Sequence, residues 1–384
     1  MKIILIGNYK LDKQESMERF TLMLFDGFIK AGIQVEIWRP VVFFGLKSLN
    51  PNTGIGKYLG YIDKWLLFPF IIQLRLLKKS YRNKNTFFHV CDHSNAPYLW
   101  HLPSLKSGIT CHDVLAIRGA LGFADAYCPA SGMGKILQKW ILRNLVRSKR
   151  VACVSQYTCS QLIDLSGDLK VSNKNWVIIH NAFNAPFYPM DKDECSLLLS
   201  QIGFKSNIPF LLHVGSSLPR KNRKLLLEMM ACLKNRWNGN VCFAGEALDD
   251  DFMNYAKDLG VSEKVVSIKQ PNHNILVALF NACDTFIFPS LSEGFGWPVI
   301  EAQACGAPVI ASNLAPMPEV SGGAALHLPP NDAKQFADAF LKLQNDINRK
   351  GIIEKGFENI KRFSNKNMIQ GYIDLYSNET IKNS

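Results

Sequence analysis

The feature that most constrains this chain is a repeated alternation. Short apolar runs rich in β-branched residues are each followed by a stretch with helical periodicity. That rhythm predicts parallel sheets with crossover helices, because two parallel strands can only be joined by a long return. In the first half the pattern predicts strands at Ile3–Ile6, Val35–Trp38, Thr86–Val90, Gly108–Cys111, Arg150–Val154 and Trp176–Ile179. The stretch "ESMERFTLMLFDGFIKAG", Glu15 to Gly32, reads as a helix that stops on glycine. A second set begins at "IPFLLHVGS", Ile208 to Ser216, and continues at Asn240–Ala244, Val265–Ile268, Thr285–Pro289 and Pro308–Ala311. Between the sets lies "NAPFYPMDKDECS", Asn184 to Ser196, rich in proline and acid, which reads as a linker. The 384 residues suffice for two domains. The expectation is therefore an α/β chain of two doubly wound domains facing across a cleft. Ligands of such sheets bind beyond the carboxyl ends of the strands, which selects the loops after Ile6, Cys111, Val214, Ala244 and Pro289.

Two of those loops carry residues suited to chemistry. In "HVGSSLPRKNRKLLLEMM" a strand ends at Gly215, and Arg220, Lys221, Arg223 and Lys224 stand just before a helix. Small residues let a ligand reach the backbone, while cations and free amides at a helix start favour phosphate oxygens. Cations at that end oppose the helix dipole. The four together point to a bound anion; the alternative is a solvated basic turn. In "SEGFGWPVIEAQACGAPVIAS", Ser292 to Ser312, Pro298 suits the first helical position and Gly306 the end. The short helix Pro298–Cys305 is mostly apolar and must pack on the sheet. Glu301 is expected near its first turn, where a carboxylate suits the dipole, and Glu293 lies in the preceding loop. As acceptors, two carboxylates suit the hydroxyls of sugars and ribose. Their bland roles are dipole help and an exposed loop acid.

Other features narrow the class. None of the ten cysteines forms a C-x-x-C pair, which argues against a zinc ribbon or a thioredoxin-like motif and fits a reduced cytosolic setting. His89, His93 and His101 with Cys91 and Asp92 match no standard zinc spacing, so no metal site is assigned to them. The net charge of +12 favours phosphorylated small molecules, nucleic acid or an acidic membrane face, or else reflects a lysine-rich solvated surface. The segment "WLLFPFIIQLRLL", Trp65 to Leu77, is too short to span a bilayer, carries Arg75 and is expected to break at Pro69. With the basic "LLKKSYRNKN" beside it, it reads as a membrane-interface element or as a core helix followed by a solvated turn.

The Ser292–Asn313 stretch resembles the E-x7-E region of the family 4 glycosyltransferases, retaining enzymes of the GT-B fold. The resemblance extends over most of the chain. It includes "PRKN" after the "HVGS" strand, "VSQYTCSQL" (Val154 to Leu162), "IIHNAFNAPFYP" (Ile178 to Pro189), "PEVSGGAAL" (Pro318 to Leu326) and "TCHDVLAIRGALG" (Thr110 to Gly122). It implies an N-terminal acceptor domain over 1–185, a nucleotide-sugar domain over 186–365 and a C-terminal helix over 366–384 crossing back to the N-terminal domain. For the last, "NMIQGYIDLYSNET" places Met368, Tyr372, Ile373 and Tyr376 at helical spacing.

Carried onto this chain, the resemblance implies that Glu293 accepts hydrogen bonds from the donor sugar, with amides around Phe295 and Gly296 lining it. Glu301 would bind the ribose hydroxyls, and Gly215 would end the strand leading into the site. Arg220 and Lys221 would hold the diphosphate and stabilise the charge that builds as it leaves. His112 would sit across the cleft near the reacting sugar, and Gly7 would admit the diphosphate or the acceptor closely. Many relatives carry arginine after the glycine matching Gly215 and glycine after the lysine matching Lys221; here Ser216 and Asn222 stand there. The function implied is a metal-independent, retaining transfer of a hexose from a nucleotide diphosphate sugar to a hydroxyl of a glycan or lipid-linked acceptor in surface polysaccharide synthesis. "PRKN" variants resemble mannosyltransferases, so GDP-mannose is the preferred donor. The expected setting is cytoplasmic, with peripheral contact at the inner, anionic membrane face and no nucleic-acid partner. Alternatives are a GT-B-fold epimerase or phosphorylase, or a non-catalytic binding subunit.

Overall fold

A computed structural model describes residues 1–45, 54–167 and 175–377 of the chain. Its contacts divide into two units. The first holds Met1–Phe123, Cys128–Asn184 and the C-terminal residues from Asn365; the second holds Ala124–Tyr127 and Ala185–Ser364.

The first unit contains β1 (Lys2–Ile6), β2 (Gln34–Trp38), β3 (Thr86–Val90), β4 (Ser107–Cys111), β5 (Arg150–Cys153) and β6 (Asn175–Ile178). Their order across the sheet is β2-β1-β3-β4-β5-β6, all parallel. The second unit contains β7 (Phe210–Gly215), β8 (Asn240–Gly245), β9 (Val265–Lys269), β10 (Thr285–Phe288), β11 (Val309–Ser312) and β12 (Leu326–Leu328). These run β12-β11-β10-β7-β8-β9, again all parallel. The half-buried β12 is only three residues long, too short to be read from the sequence. Central strands such as β1, β4, β5 and β10 are buried on both faces, as helix-covered parallel sheets require.

Both orders reverse direction once, and that reversal positions the sites. In the first sheet β2 and β3 lie on opposite sides of β1; in the second, β8 and β10 flank β7. At such a switch point the two crossover helices leave to opposite faces and open a crevice beyond the carboxyl ends of the strands. The loops concerned follow β1 and β3 in one unit, and β7 and β10 in the other.

The C-terminal helix, Asn365–Ser377, packs on the first sheet, with Met368, Tyr372 and Tyr376 buried. The rest of the stretch read as helical lies outside the described residues. A hydrogen-bonded chain pins it, and its polarity follows from one end. The Tyr376 hydroxyl donates to the Phe88 carbonyl (3.0 Å), so it accepts from His89 Nδ1 (2.7 Å). His89 Nε2 then accepts from Thr110 Oγ1 (2.8 Å), which accepts from the Tyr372 hydroxyl (2.8 Å). His89 is therefore a neutral core histidine with both nitrogens used.

The Trp65–Leu77 segment belongs to a longer helical run, Gly54–Ile62, a wide π turn at Asp63–Leu67 and Phe68–Leu76. The expected break at Pro69 takes the form of that wider turn, which absorbs the missing amide without ending the run. Asp63 in the turn is fully buried and accepts from Tyr9 Oη (2.7 Å) and the amides of Phe43, Phe44 and Gly45 (3.1, 2.9 and 2.9 Å).

Candidate functional site

In the second unit the chain leaves β7 through Gly215 and turns through a single 3-10 turn at Pro219–Lys221 before the helix Lys224–Leu233. Gly245 ends β8 beside it with φ 132°, and a Cβ there would lie 2.4 Å from the Gly215 carbonyl oxygen. Only glycine allows the two strand ends to close this tightly. From β10 comes the loop holding Ser292 and Glu293, followed by the helix Trp297–Ala304.

These two loops meet through charge. Arg220 Nη1 lies 2.8 Å from Glu293 Oε2 and 3.0 Å from the Ser292 carbonyl; Lys221 Nζ lies 2.6 Å from Glu293 Oε1. Glu293 is 8% exposed and Lys221 9%. Burial pushes the Glu293 pKa up, but the Lys221 and Arg220 charges outweigh it and hold the carboxyl below its ordinary value. The bland reading of Glu293 as an exposed loop acid is thereby excluded. Asn222 adopts the left-handed conformation, φ 53°, for which glycine would otherwise serve, and asparagine tolerates it. Its amide also donates to the Pro289 and Pro330 carbonyls (3.2 and 2.7 Å), tying the cationic turn to the end of β10. Asn222 is thus an alternative way of building the same turn.

Two expectations are corrected. Only Arg220 and Lys221 of the four cations join Glu293. Arg223 is buried, donates to the Glu246 carbonyl (3.2 Å) and lies over the Phe252 ring, while Lys224 lies over Tyr255. The reason is helical phase: Arg223 and Lys224 enter the helix and turn towards β8's side. Glu301 is the fifth residue of its helix, with no acid in the first turn. It lies just past the first turn, where the dipole's effect has largely fallen off. Glu301 is buried, with 7% exposure. Phe295 is buried against Phe363 (5.7 Å between centroids), and Gly296 starts the helix with φ 98°.

In the first unit the switch point carries a polar cluster that the sequence reading missed. Asn8, just after β1, donates to Asp92 Oδ2 (2.7 Å) and to Gln14 Oε1, and accepts from Asn95 Nδ2 (2.9 Å). Ser94 donates to Asp92 through its amide (3.0 Å) and its hydroxyl (2.5 Å). The available signal was the pair of polar runs "GNY" and "CDHSN", each directly after a strand. A pocket of about 540 Å³ adjoins, lined by Asn8, Tyr9, Lys10, Lys13, Gln14 and Arg19 among others. His112 is buried after β4, and its Nε2–H donates to the Cys91 carbonyl (2.9 Å). Burial pushes its pKa down despite Asp92 nearby. Asp113 accepts from the Leu115 amide (3.0 Å). A Cβ on Gly7 would meet Arg39 Nε at 3.2 Å; the residue makes room for the Arg39–Glu18 ion pair. Among the described residues, no group of three His, Cys, Asp or Glu side chains is arranged for a metal ion.

Known proteins resemble this chain in sequence and in fold. Residues 198–358 match the glycosyl transferases group 1 family. The O-antigen chain mannosyltransferase B of Escherichia coli is 28% identical, over 97% of this chain and 95% of its own length. The O-antigen chain mannosyltransferase RfbU of Salmonella typhimurium is 27% identical over 73% of this chain and 70% of its own. Among solved structures, Anabaena HepE in complex with UDP and glucose superposes with a TM-score of 0.68 at 16% identity, covering 97% of this chain and 98% of that one. The last likeness speaks to fold alone, and the fold is GT-B. Over residues 198–358 the chain is similar to the glycosyl transferases group 1 family, and it is a glycosyltransferase.

Proposed function

We propose that this enzyme transfers a hexose, preferentially mannose from GDP-mannose, to a hydroxyl of a glycan or lipid-linked acceptor in surface polysaccharide synthesis, with retention at the anomeric carbon. The observation that carries the reading is the convergence of Arg220, Lys221 and Glu293 at the β7/β10 switch point. The two O-antigen mannosyltransferases among the relatives support the sugar and the pathway.

In this reading the diphosphate takes Arg220 and Lys221, and the freed Glu293 accepts from sugar hydroxyls. Glu301 takes the ribose, while amides at Phe295 and Gly296, with Gly215, line the donor. The bond from the anomeric carbon to the leaving phosphate oxygen breaks as the acceptor oxygen bonds on the same face, and the acceptor proton passes to that phosphate oxygen. Arg220 and Lys221 offset the growing charge, so the reading calls for no metal ion. His112 is assigned to the reacting sugar and Gly7 to close approach of the diphosphate or the acceptor.

We also propose peripheral attachment to the cytoplasmic membrane face. Ile55, Tyr58, Leu66, Phe70, Leu74 and Leu77 are exposed at intervals of one or two helical turns, followed by exposed Lys78, Lys79, Arg82 and Lys84. Among the described residues no helix is long and apolar enough to cross a membrane.

The test is a thermal-shift screen with GDP-, UDP- and ADP-sugars, followed by product analysis with the stabilising donor. A donor at a hundred times its dissociation constant adds about 2.7 kcal/mol to stability. GDP-mannose should give the largest shift and an α-linked product. A β-linked product would refute retention, and stabilisation by UDP-sugars alone would refute the donor.

A further inference from the structure

One buried imidazole near the cationic turn has a nitrogen with no partner among the described residues. His213 lies on β7, fully buried, with its ring between Phe243 of β8 and Phe288 of β10 (centroids 5.9 and 6.4 Å). Its Nδ1 lies 3.1 Å from the Ile287 carbonyl and must donate, which leaves the lone pair of the neutral ring on Nε2. Nε2 is buried and, among the described residues, accepts from nothing. Residues 213 and 215 share one face of the strand. A Cβ on Gly215 would lie 3.4 Å from His213 Nε2, and 3.6 and 3.7 Å from Lys221 Cδ and Cε. The side-chain space that glycine leaves open is therefore shared by the free imidazole nitrogen and the Lys221 stem. The Phe288 ring that stacks on His213 also carries Lys221 Nζ, 5.1 Å from its centroid.

Phenylalanine would fill this position without burying an unpaired acceptor, which is unfavourable unless another state uses it. We propose that His213 is a positioning residue for the donor diphosphate: in the loaded site its Nε2 accepts a hydrogen bond from the Lys221 ammonium, replacing Glu293. This rests on the proposed exchange in which Glu293 turns to the sugar. Lysine offers three donors; phosphate oxygens take some, and one is left by the departing carboxylate. A neutral imidazole orients the ammonium without cancelling the charge that the diphosphate needs. Burial supports the role, since it holds the His213 pKa down at about 3 and keeps the ring an acceptor at neutral pH.

The experiment is titration of GDP, and of inorganic pyrophosphate as a probe independent of the base, into wild type, His213→Phe, His213→Gln, Lys221→Met and the His213→Phe/Lys221→Met double variant. Melting curves check each fold. Affinity for both probes should fall about tenfold in His213→Phe, recover in His213→Gln, whose carbonyl replaces Nε2, and show no additional loss from His213→Phe in the Lys221→Met background. Wild-type affinity in His213→Phe, or losses that add independently, would overturn the proposal. Wild-type affinity in Lys221→Met would instead overturn the diphosphate site itself. A measurement that needs no variant is the ¹⁵N resonance of His213 Nε2 in the wild-type protein. Saturation with GDP should move it as the new hydrogen bond forms, and an unmoved signal with GDP bound overturns the proposal.

Discussion

Lys221 Nζ lies 2.6 Å from Glu293 Oε1, and the other oxygen of that carboxylate holds Arg220 at 2.8 Å. One buried acid thus occupies both cations at the end of β7. A diphosphate can take them only by outcompeting a carboxylate, and what it displaces is then free to accept from a sugar. Glu293→Gln and Lys221→Met should each lower turnover by about 10²–10³-fold, the usual effect of removing one preorganised charge from a transferring group. Stripping one partner from a buried pair also costs on the order of 3 kcal/mol of stability. Steady-state rates with GDP-mannose, beside circular dichroism, separate the two effects. Near-normal turnover in both folded variants would sink the assignment.

Two buried histidines make stability depend on pH. Burial holds His89 and His213 down at about 3, while the unfolded chain takes up protons near 6.5. Below pH 6.5 the unfolded state binds protons that the folded state refuses, so stability falls with pH across the window from 6.5 to about 3. Each group contributes a slope approaching about 1.4 kcal/mol per pH unit inside that window. His101, His112 and His327, also shifted down by burial, act in the same direction. Urea melts between pH 7.5 and 5, above the carboxylate range, should show the decline, and His213→Phe should flatten it whatever its baseline. An unchanged slope in that variant would show that His213 titrates normally.

The Asp63 carboxylate gathers four donors in a site with no solvent exposure. Burial raises its pKa, but the Phe44 and Gly45 amides and the Tyr9 hydroxyl outweigh that and keep it below the ordinary value. Asn at this position would turn one oxygen into a donor facing donors. Asp63→Asn should therefore lose about 3 kcal/mol, since hydrogen bonds to charged groups are worth more than neutral ones. Chemical denaturation measures it, and a loss below about 1 kcal/mol would mean that water replaces the carboxylate. A Cβ on Gly45 would sit 2.1 Å from the Tyr9 hydroxyl, so Gly45→Ala should be destabilising through the same clamp.

The sequence made the sheets legible because parallel strands buried on both faces are continuous apolar runs, and β3 was readable to the residue at Thr86–Val90. It made Glu293, Arg220 and Lys221 legible because small residues and charges after a strand end have few purely structural uses. Their mutual contact was not legible: Glu293 and Lys221 are 72 residues apart, and only the strand order β10-β7 brings them together. The Asn8–Asp92–Asn95 cluster depends in the same way on β1 pairing with β3. His213 hid for another reason. Inside an apolar strand it reads as a core residue, and only the fold reveals that one nitrogen has no partner among the described residues.

The exposed stripe on the Gly54–Leu76 helical run gives the last prediction. Leu66, Phe70 and Leu77 are 68%, 61% and 63% exposed, an arrangement that water disfavours and a lipid interface rewards. Lys78, Lys79, Arg82 and Lys84 follow directly, and each cation near an anionic surface adds about 1 kcal/mol of attraction. The apolar and electrostatic parts separate experimentally, because salt screens one and not the other. With vesicles containing anionic lipid the protein should co-sediment, and 0.5 M salt, taken here as roughly three times physiological ionic strength, should weaken binding without abolishing it. Phe70→Ser with Leu66→Ser should remove the salt-resistant part while leaving turnover on a water-soluble acceptor intact. Equal sedimentation with neutral and anionic vesicles would overturn the electrostatic part. Unchanged binding by the serine variant would move the contact to another face.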